Sequence, residues 1–475
     1  MTVYHIFTIV GIAALILTAL RYFLAKPSNL VICFLQNFVG SLFIFSGFVK
    51  AVDPLGTGYK MHEYFEAFAG EGFRSFWEYI AEFSTGMAIL MIALELFIGF
   101  ALLIGWKPRF TVTIIWWLTL FFTFLTGYTY LSGYGITHKF ILASALVMAA
   151  LALVSVFPKG RNRSVVLAIA GVLFFVVAGI GMFTDQFFTK PFAETGMKVT
   201  DCGCFGDFIK LKPWETFYKD VFLDVLILFL VLAVNRIDRL FTNITETSLI
   251  SVSAVASMAF CLWNTYMDEP FIDFRPYKIG NDICDLRKEK KPAVIQKTFY
   301  YRSNKTGEVK TFSEDDVMHG KWDYAEYDSL VDRKDVVLDP GIPAKITNLF
   351  VEDEEGNDMT DSLFCYPGYS MLVISPNLHK THESAFKELN AIAAGCEKAG
   401  IKFSAVVVND GQVEEFRHRN QTAFPFFHND ETALKTMVRS NPGLLLLKNG
   451  VVINKWHYRH LPTFETLNSE YFSKK

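Results

Sequence analysis

Long, unbroken apolar runs constrain this chain more than anything else in it. A helix needs about 20 apolar residues to cross the hydrocarbon of a bilayer. Eight stretches read as such spans: Tyr4–Leu24, Leu30–Val49, Ser84–Trp106, Thr111–Leu131, Phe140–Phe157, Val165–Phe183, Phe217–Val234 and Ser248–Tyr266. All of them precede Met267, and beyond it the chain turns polar. The hydrophobic share of 52% over 475 residues exceeds what a soluble domain usually carries. The expectation is a polytopic α-helical membrane bundle of about eight spans, followed by a soluble tail. A net charge of −3 leaves no basic surplus, which argues against a nucleic-acid partner. The first run has neither a basic start nor a small-residue cleavage site, so it reads as a retained helix.

The basic residues of the short loops give an orientation. Arg21 and Lys26, Lys107 and Arg109, Lys159, Arg161 and Arg163, and Arg236 and Arg239 fall in alternate loops. Lys and Arg mark the cytoplasmic side. The N-terminus, the segments 50–83, 132–139 and 184–216, and the tail from Asp268 are then expected outside.

One of those outer segments holds Thr200-Asp-Cys-Gly-Cys-Phe-Gly-Asp207. Cys202 and Cys204 flank a single glycine on the side where disulfides persist. A bridge between residues two apart is strained, and strain makes a disulfide more oxidising. Gly203 supplies the backbone freedom that so tight a ring requires. The functional reading is a dithiol that exchanges with a partner. The structural alternative is a buried loop, or pairing with Cys284 or Cys365. No histidine stands in the loop, and a closed zinc site wants four ligands, so no metal is expected.

The tail divides again. Residues 268–340 are charged, with Phe299-Tyr-Tyr-Arg302 reading as a short strand pair or linker. From about Gly341 onward strands and helices alternate: Ser370–Ile374, a helix from His379 to Ala399, Lys402–Val408, a helix Val413–Arg419, Phe424–Phe427 and a helix Glu431–Arg439. Two strands around Asn449-Gly450 follow, a dipeptide that signals a hairpin. This order resembles the thioredoxin-like fold over 341–475, with Asn441-Pro442-Gly443 where such domains carry a proline, usually cis. The redox motif of that fold would follow the first core strand. Here Ser375-Pro-Asn-Leu-His-Lys380 stands there without a cysteine, and a thiolate is the nucleophile such chemistry needs. The tail is therefore expected to dock rather than to exchange disulfides.

Asp201-Cys-Gly-Cys-Phe-Gly206, followed by Trp214 and a span, resembles the methylamine utilisation protein MauE and related DoxX-like membrane proteins. Ser46-Gly-Phe-Val-Lys-Ala-Val-Asp-Pro54 is similar to that group's small-x-x-Lys-x-x-x-Pro helix end. Glu95-Leu-Phe-Ile-Gly-Phe-Ala-Leu-Leu-Ile-Gly105 is similar to its acidic, glycine-spaced helix. Asp273–Tyr277 and Leu434–Gly443 resemble long DoxX-family proteins of Bacteroidetes. The resemblance implies a four-helix membrane core in a bacterial inner membrane, the tail in the periplasm, and a role beside disulfide-containing periplasmic proteins. The run Phe140–Phe183 departs from the pattern as two extra spans. An even number of insertions keeps the cysteines on the same side.

The candidate site is therefore Cys202 and Cys204, supported by Asp201, Gly203, Phe205, Gly206, Lys50 and Glu95. A carboxyl in mid-span is costly and is usually paired or protonated. Glu95 reads either as a proton site for thiol chemistry or as a partner of Gln36 or Asn37. Lys50 either favours the thiolate of Cys204 or snorkels to the interface, and snorkelling is the expectation. Cys33 and Cys261 read as apolar packers, Cys396 as buried, and His379 and His382 as surface residues. No residue establishes a cofactor site, and a quinone as electron acceptor stays open. The function expected is electron or disulfide transfer between membrane and periplasmic proteins. The alternative is a membrane scaffold whose outer domain docks partners, which would tolerate serine at both loop cysteines.

Overall fold

The computed structural model describes residues 2–134, 203–319, 329–339, 341–409 and 411–473, with 166, 169, 171–173, 197, 199, 323 and 325–327 beside them. Two compact units divide the chain, 1–274 and 275–475. The spans expected at Phe140–Phe157 and Val165–Phe183 lie almost wholly outside the described residues.

The first unit is helical. Helices α1 (Val3–Ala25), α2 (Leu30–Val52), α3 (Pro54–Ala69), α4 (Arg74–Ala81), α5 (Ser84–Ile104), α6 (Pro108–Ser132), α7 (Pro213–Leu232) and α8 (Asn243–Tyr266) follow in order. Five of them, α1, α2, α5, α6 and α8, are long and apolar enough to cross a membrane. They match five of the expected spans. Helix α7 forms where a sixth was expected, yet it carries Glu215, Lys219, Asp220 and Asp224. The segment between α2 and α5, expected only as an outer loop, folds into α3 and α4. Asp53 explains the break after α2: its carboxylate accepts from Gly56 N at 3.2 Å, and Pro54 takes the first helical position. Both are helix-start signals.

Helices α2 and α5 approach closely through glycines. A Cβ on Gly99 would lie 3.0 Å from the Gly40 carbonyl oxygen, so larger residues would push the helices apart. Small residues at such crossings are the usual packing device within a bilayer. Phe38, Leu42, Ile98, Leu102, Ile115, Trp116, Leu223 and Ile227 fill the centre of the bundle. Cys33 and Cys261 are buried among its helices as expected.

The second unit begins with a three-stranded antiparallel sheet of order β2-β1-β3, made of β1 (Val294–Arg302), β2 (Val309–Ser313) and β3 (Ser329–Asp339). Thus Phe299–Arg302 lies in a strand. Beyond it stands a five-stranded sheet of order β6-β5-β4-β7-β8, with β4 (Tyr369–Ser375), β5 (Lys402–Val407), β6 (Phe426–His428), β7 (Gly443–Lys448) and β8 (Val451–His457). Strands β4, β5 and β6 run parallel, and β7 and β8 run antiparallel to their neighbours. Met371, Val373, Phe386, Leu389, Ala405 and Leu444 bury one face. Leu372, Ile374, Val406, Leu445 and Leu447 bury the other. Burial on both faces explains why β4 and β7 read as continuous apolar runs.

The helix expected from His379 starts later, as α9 (Phe386–Lys398), after two short 3-10 turns at Leu378–Lys380 and Glu383–Ala385. Asn377 caps the first turn by accepting from Lys380 N at 3.0 Å. The His382 amide is drawn away to the Asn441 carbonyl at 3.0 Å. The Asn441–Pro442 bond is cis, and Asn449 and Gly450 make the hairpin turn with φ of +52° and +83°. Cys284 and Cys365 are joined by a disulfide, with Cα atoms 5.8 Å apart.

Candidate functional site

The close crossing of α2 and α5 brings Lys50 to Glu95. Residues four apart share one helix face, so Ser46 and Lys50 both face Glu95. Lys50 Nζ lies 2.6 Å from Glu95 Oε1, and the two side chains are 4% and 1% exposed. Ser46 Oγ lies 3.3 Å from Glu95 Oε2. The ammonium also stands 5.0 Å from the centre of the Phe122 ring, a favourable place for a cation. Lys50 therefore does not snorkel. Its charge is held inside, because a carboxylate on the facing helix compensates it. Nor does Glu95 pair with Gln36 or Asn37. The Gln36 amide donates to the Leu102 carbonyl at 2.6 Å and that of Asn37 to Thr18 Oγ1 at 3.0 Å.

The cysteine loop reaches the same place from above α7. Gly203 and Gly206 both adopt positive φ, +63° and +51°, and the Gly206 amide returns to the Gly203 carbonyl at 3.0 Å. A Cβ on Gly203 would meet Lys60 Cγ at 3.1 Å. Phe205 is buried in the bundle core, 6.0 Å from Phe45 between ring centres, and Lys219 Nζ lies 5.4 Å from its ring centre. So Phe205 anchors the loop. The Ser46 hydroxyl, besides its contact with Glu95, reaches the Cys204 carbonyl oxygen at 3.1 Å. Its one proton serves one acceptor at a time, so Ser46 couples the loop backbone to the buried ion pair.

Lys50, Glu95, Ser46 and Cys204 line one cavity of about 690 Å³. The sequence-selected residues Lys50, Glu95, Gly203, Cys204 and Phe205 thus converge, although α2, α5 and the loop are far apart in the chain. Asp201 and Cys202 lie outside the described residues. The alternative pairing of a loop cysteine with Cys284 or Cys365 is overturned, since those two are joined to each other.

Three residues that sequence reading passed over belong beside this set. Lys219 and Asp220 line the cavity, and Asp220 is 3% exposed. Its Oδ2 has no hydrogen-bond partner among the described residues. One turn on, Asp224 accepts from Thr123 Oγ1 at 2.5 Å. The signal was present: acidic residues i and i+4 inside an apolar run are costly, and such residues usually have a job. Among the described residues no three His, Cys, Asp or Glu side chains gather as a metal site.

The second unit offers no thiol where a redox motif would sit. Ser375 at the end of β4 donates to Asn441 Oδ1 at 2.7 Å, and the Asn441 amide donates to the Asn377 carbonyl at 2.7 Å. Cys396 is fully buried, and burial pushes its thiol up to about 12. His379 and His382 are exposed. The His382 ring stacks on Tyr458 at 4.1 Å between centres.

Comparison with known families now bears on the helical unit. Residues 28–137 match the family described as "Methylamine utilisation protein MauE". The chain carries a MauE-like membrane unit. The match covers α2 to α6, and so includes Lys50 and Glu95, and ends before the cysteine loop. No curated protein and no solved structure gives a significant match.

Proposed function

We propose that this MauE-like membrane protein is a redox protein that transfers electrons or disulfides between the membrane and extracytoplasmic proteins through Cys202 and Cys204. One observation carries the reading. Cys204 opens into the cavity that holds the buried Lys50–Glu95 pair, and Ser46 links the two. A nearby cation favours a thiolate. A loop needed only for packing has no use for a charge pair in its floor, because burying such a pair is seldom a net gain in stability.

The second unit is a thioredoxin-like domain on the outer side of a bacterial inner membrane. Parallel β4 and β5 followed by an antiparallel hairpin, with a proline before it, support that fold. The Cys284–Cys365 bridge fits an oxidising compartment. Its role is to bring disulfide-containing proteins to the loop.

The test is capture of mixed disulfides. A chain with Cys204→Ser or Cys202→Ser should hold a partner covalently through the remaining cysteine. A chain with both replaced should hold none and lose transfer. Full activity of the double-serine chain would leave only a scaffold.

A further inference from the structure

We infer that the cavity beside Cys204 is a binding site for a lipid-soluble para-quinone, the acceptor of the electrons that the loop dithiol gives up. The inference rests on the dithiol reading above. Three features of the cavity point to that chemistry.

First, it opens toward lipid. Leu90 on α5 and Phe121 on α6 line it, yet they are 62% and 37% exposed. Exposed apolar side chains on membrane-crossing helices meet acyl chains, so a ligand enters from the bilayer. Second, the interior suits a flat apolar ring. Met91, Leu94, Phe122 and Phe124 line it, and about 690 Å³ falls within the about 300–1,000 Å³ of sites that enclose a small molecule. Third, its polar groups suit a neutral ligand that both accepts and donates. Lys50 is matched by Glu95, Lys60 by Glu63 and Lys219 by Asp220. A fatty acid would add an unmatched anion. Two buried atoms in the wall, Asp220 Oδ2 and Thr57 Oγ1, have no hydrogen-bond partner among the described residues, a state that buried polar atoms rarely keep. A quinone carbonyl accepts from Lys50 or Thr57. The hydroxyl it becomes donates to Asp220.

The step balances. The Cys202 and Cys204 S–H bonds break and one S–S bond forms. Two electrons and two protons pass to the quinone, whose two carbonyls become the hydroxyls of a quinol. The dithiol is oxidised and the quinone reduced.

The experiment uses the full chain in lipid nanodiscs. An azido-substituted decylbenzoquinone is photolysed and the labelled peptides are mapped, with decylubiquinone as competitor. Label is expected in Ser84–Ile104 or Pro108–Ser132 and should be competed away. Met91→Trp, which fills the cavity from a half-buried position, should lower labelling about tenfold or more. Label confined to peptides that do not line the cavity, or label that decylubiquinone does not displace, overturns the site. So does undiminished labelling of a folded Met91→Trp chain. If that variant fails to fold, the competed map on the native chain decides alone. In parallel, the pre-reduced chain is mixed with decylubiquinone, and one quinol should appear for each two thiols lost. Competed label in the cavity with inert loop thiols would sink the dithiol reading and keep the site. Thiols that exchange with a soluble disulfide in a chain that takes no label would do the reverse.

Discussion

The cysteine loop of the membrane unit and the end of β4 in the second unit occupy comparable chemical ground and differ in every reactive respect. Beside the loop, a lysine and a glutamate are buried at 4% and 1% exposure in an apolar bundle, and Asp220 Oδ2 has no hydrogen-bond partner among the described residues. At the end of β4, Ser375, Asn377 and Asn441 satisfy one another, and the sheet is apolar on both faces. The first region holds costly groups with no structural need for them. The second is what a sequence looks like when selected for packing. The difference teaches that unexplained buried charge is a better guide to a site than the order of strands and helices.

The largest expected effect breaks the comparison outright if it fails. Cys204→Ser should abolish transfer to an extracytoplasmic partner in a membrane assay, whereas Cys396→Ser should leave it unchanged. Equal loss in both would erase the distinction. Next comes the ion pair. Lys50→Met strands Glu95 in apolar surroundings and should destabilise the membrane unit by about 3–5 kcal/mol, read by unfolding in mild detergent. Lys50→Met with Glu95→Leu should recover most of that stability and still lack activity. A double variant with native activity would reduce the pair to packing. Glu95→Gln sharpens the point, since it keeps the shape and removes the charge that faces Lys50.

Much of this was legible in sequence, and the failures have causes. Five apolar runs became membrane-length helices because length and hydropathy suffice for that reading. Lys50 and Glu95 each drew notice, but their pairing did not. It depends on Gly40 and Gly99 setting the depth and rotation of two helices, which no periodicity reports. Lys219, Asp220 and Asp224 were read through as part of a span, although charge inside it was the warning. Helices α3 and α4 hid because their apolar faces are short, even with Asp53-Pro54 announcing the start. In the second unit, β4, β5, β7 and β8 were plain from unbroken apolar runs and the Asn449-Gly450 turn. The start of α9 was missed because Asn377 and Asn441 divert backbone groups that a helix would use.

Smaller effects belong to the second unit and should stay there. Replacing Cys284 and Cys365 by alanine opens a loop of 81 residues and should cost that unit about 2–4 kcal/mol, read as a lower midpoint in thermal unfolding, with transfer unchanged. The smallest is alkaline. Burial raises the Cys396 thiol from the ordinary 9.0 to about 12. Between those values the unfolded chain has lost the proton and the folded chain retains it, so stability falls as pH rises. That fall should be shallower in Cys396→Ala, measured by denaturant unfolding at pH 9 and 11. An identical slope would mean the thiol ionises in the folded unit.

The most direct test of the central claim is differential alkylation in native membranes. Free thiols are blocked at the outer face, the membranes are exposed to a mild membrane-impermeant reductant, and a second tag is mapped by peptide mass. The account predicts new tags on Cys202 and Cys204 at reductant levels that leave Cys284–Cys365 closed and Cys396 untouched. New tags confined to the second unit, with Cys202 and Cys204 unmarked in the folded protein, would contradict it.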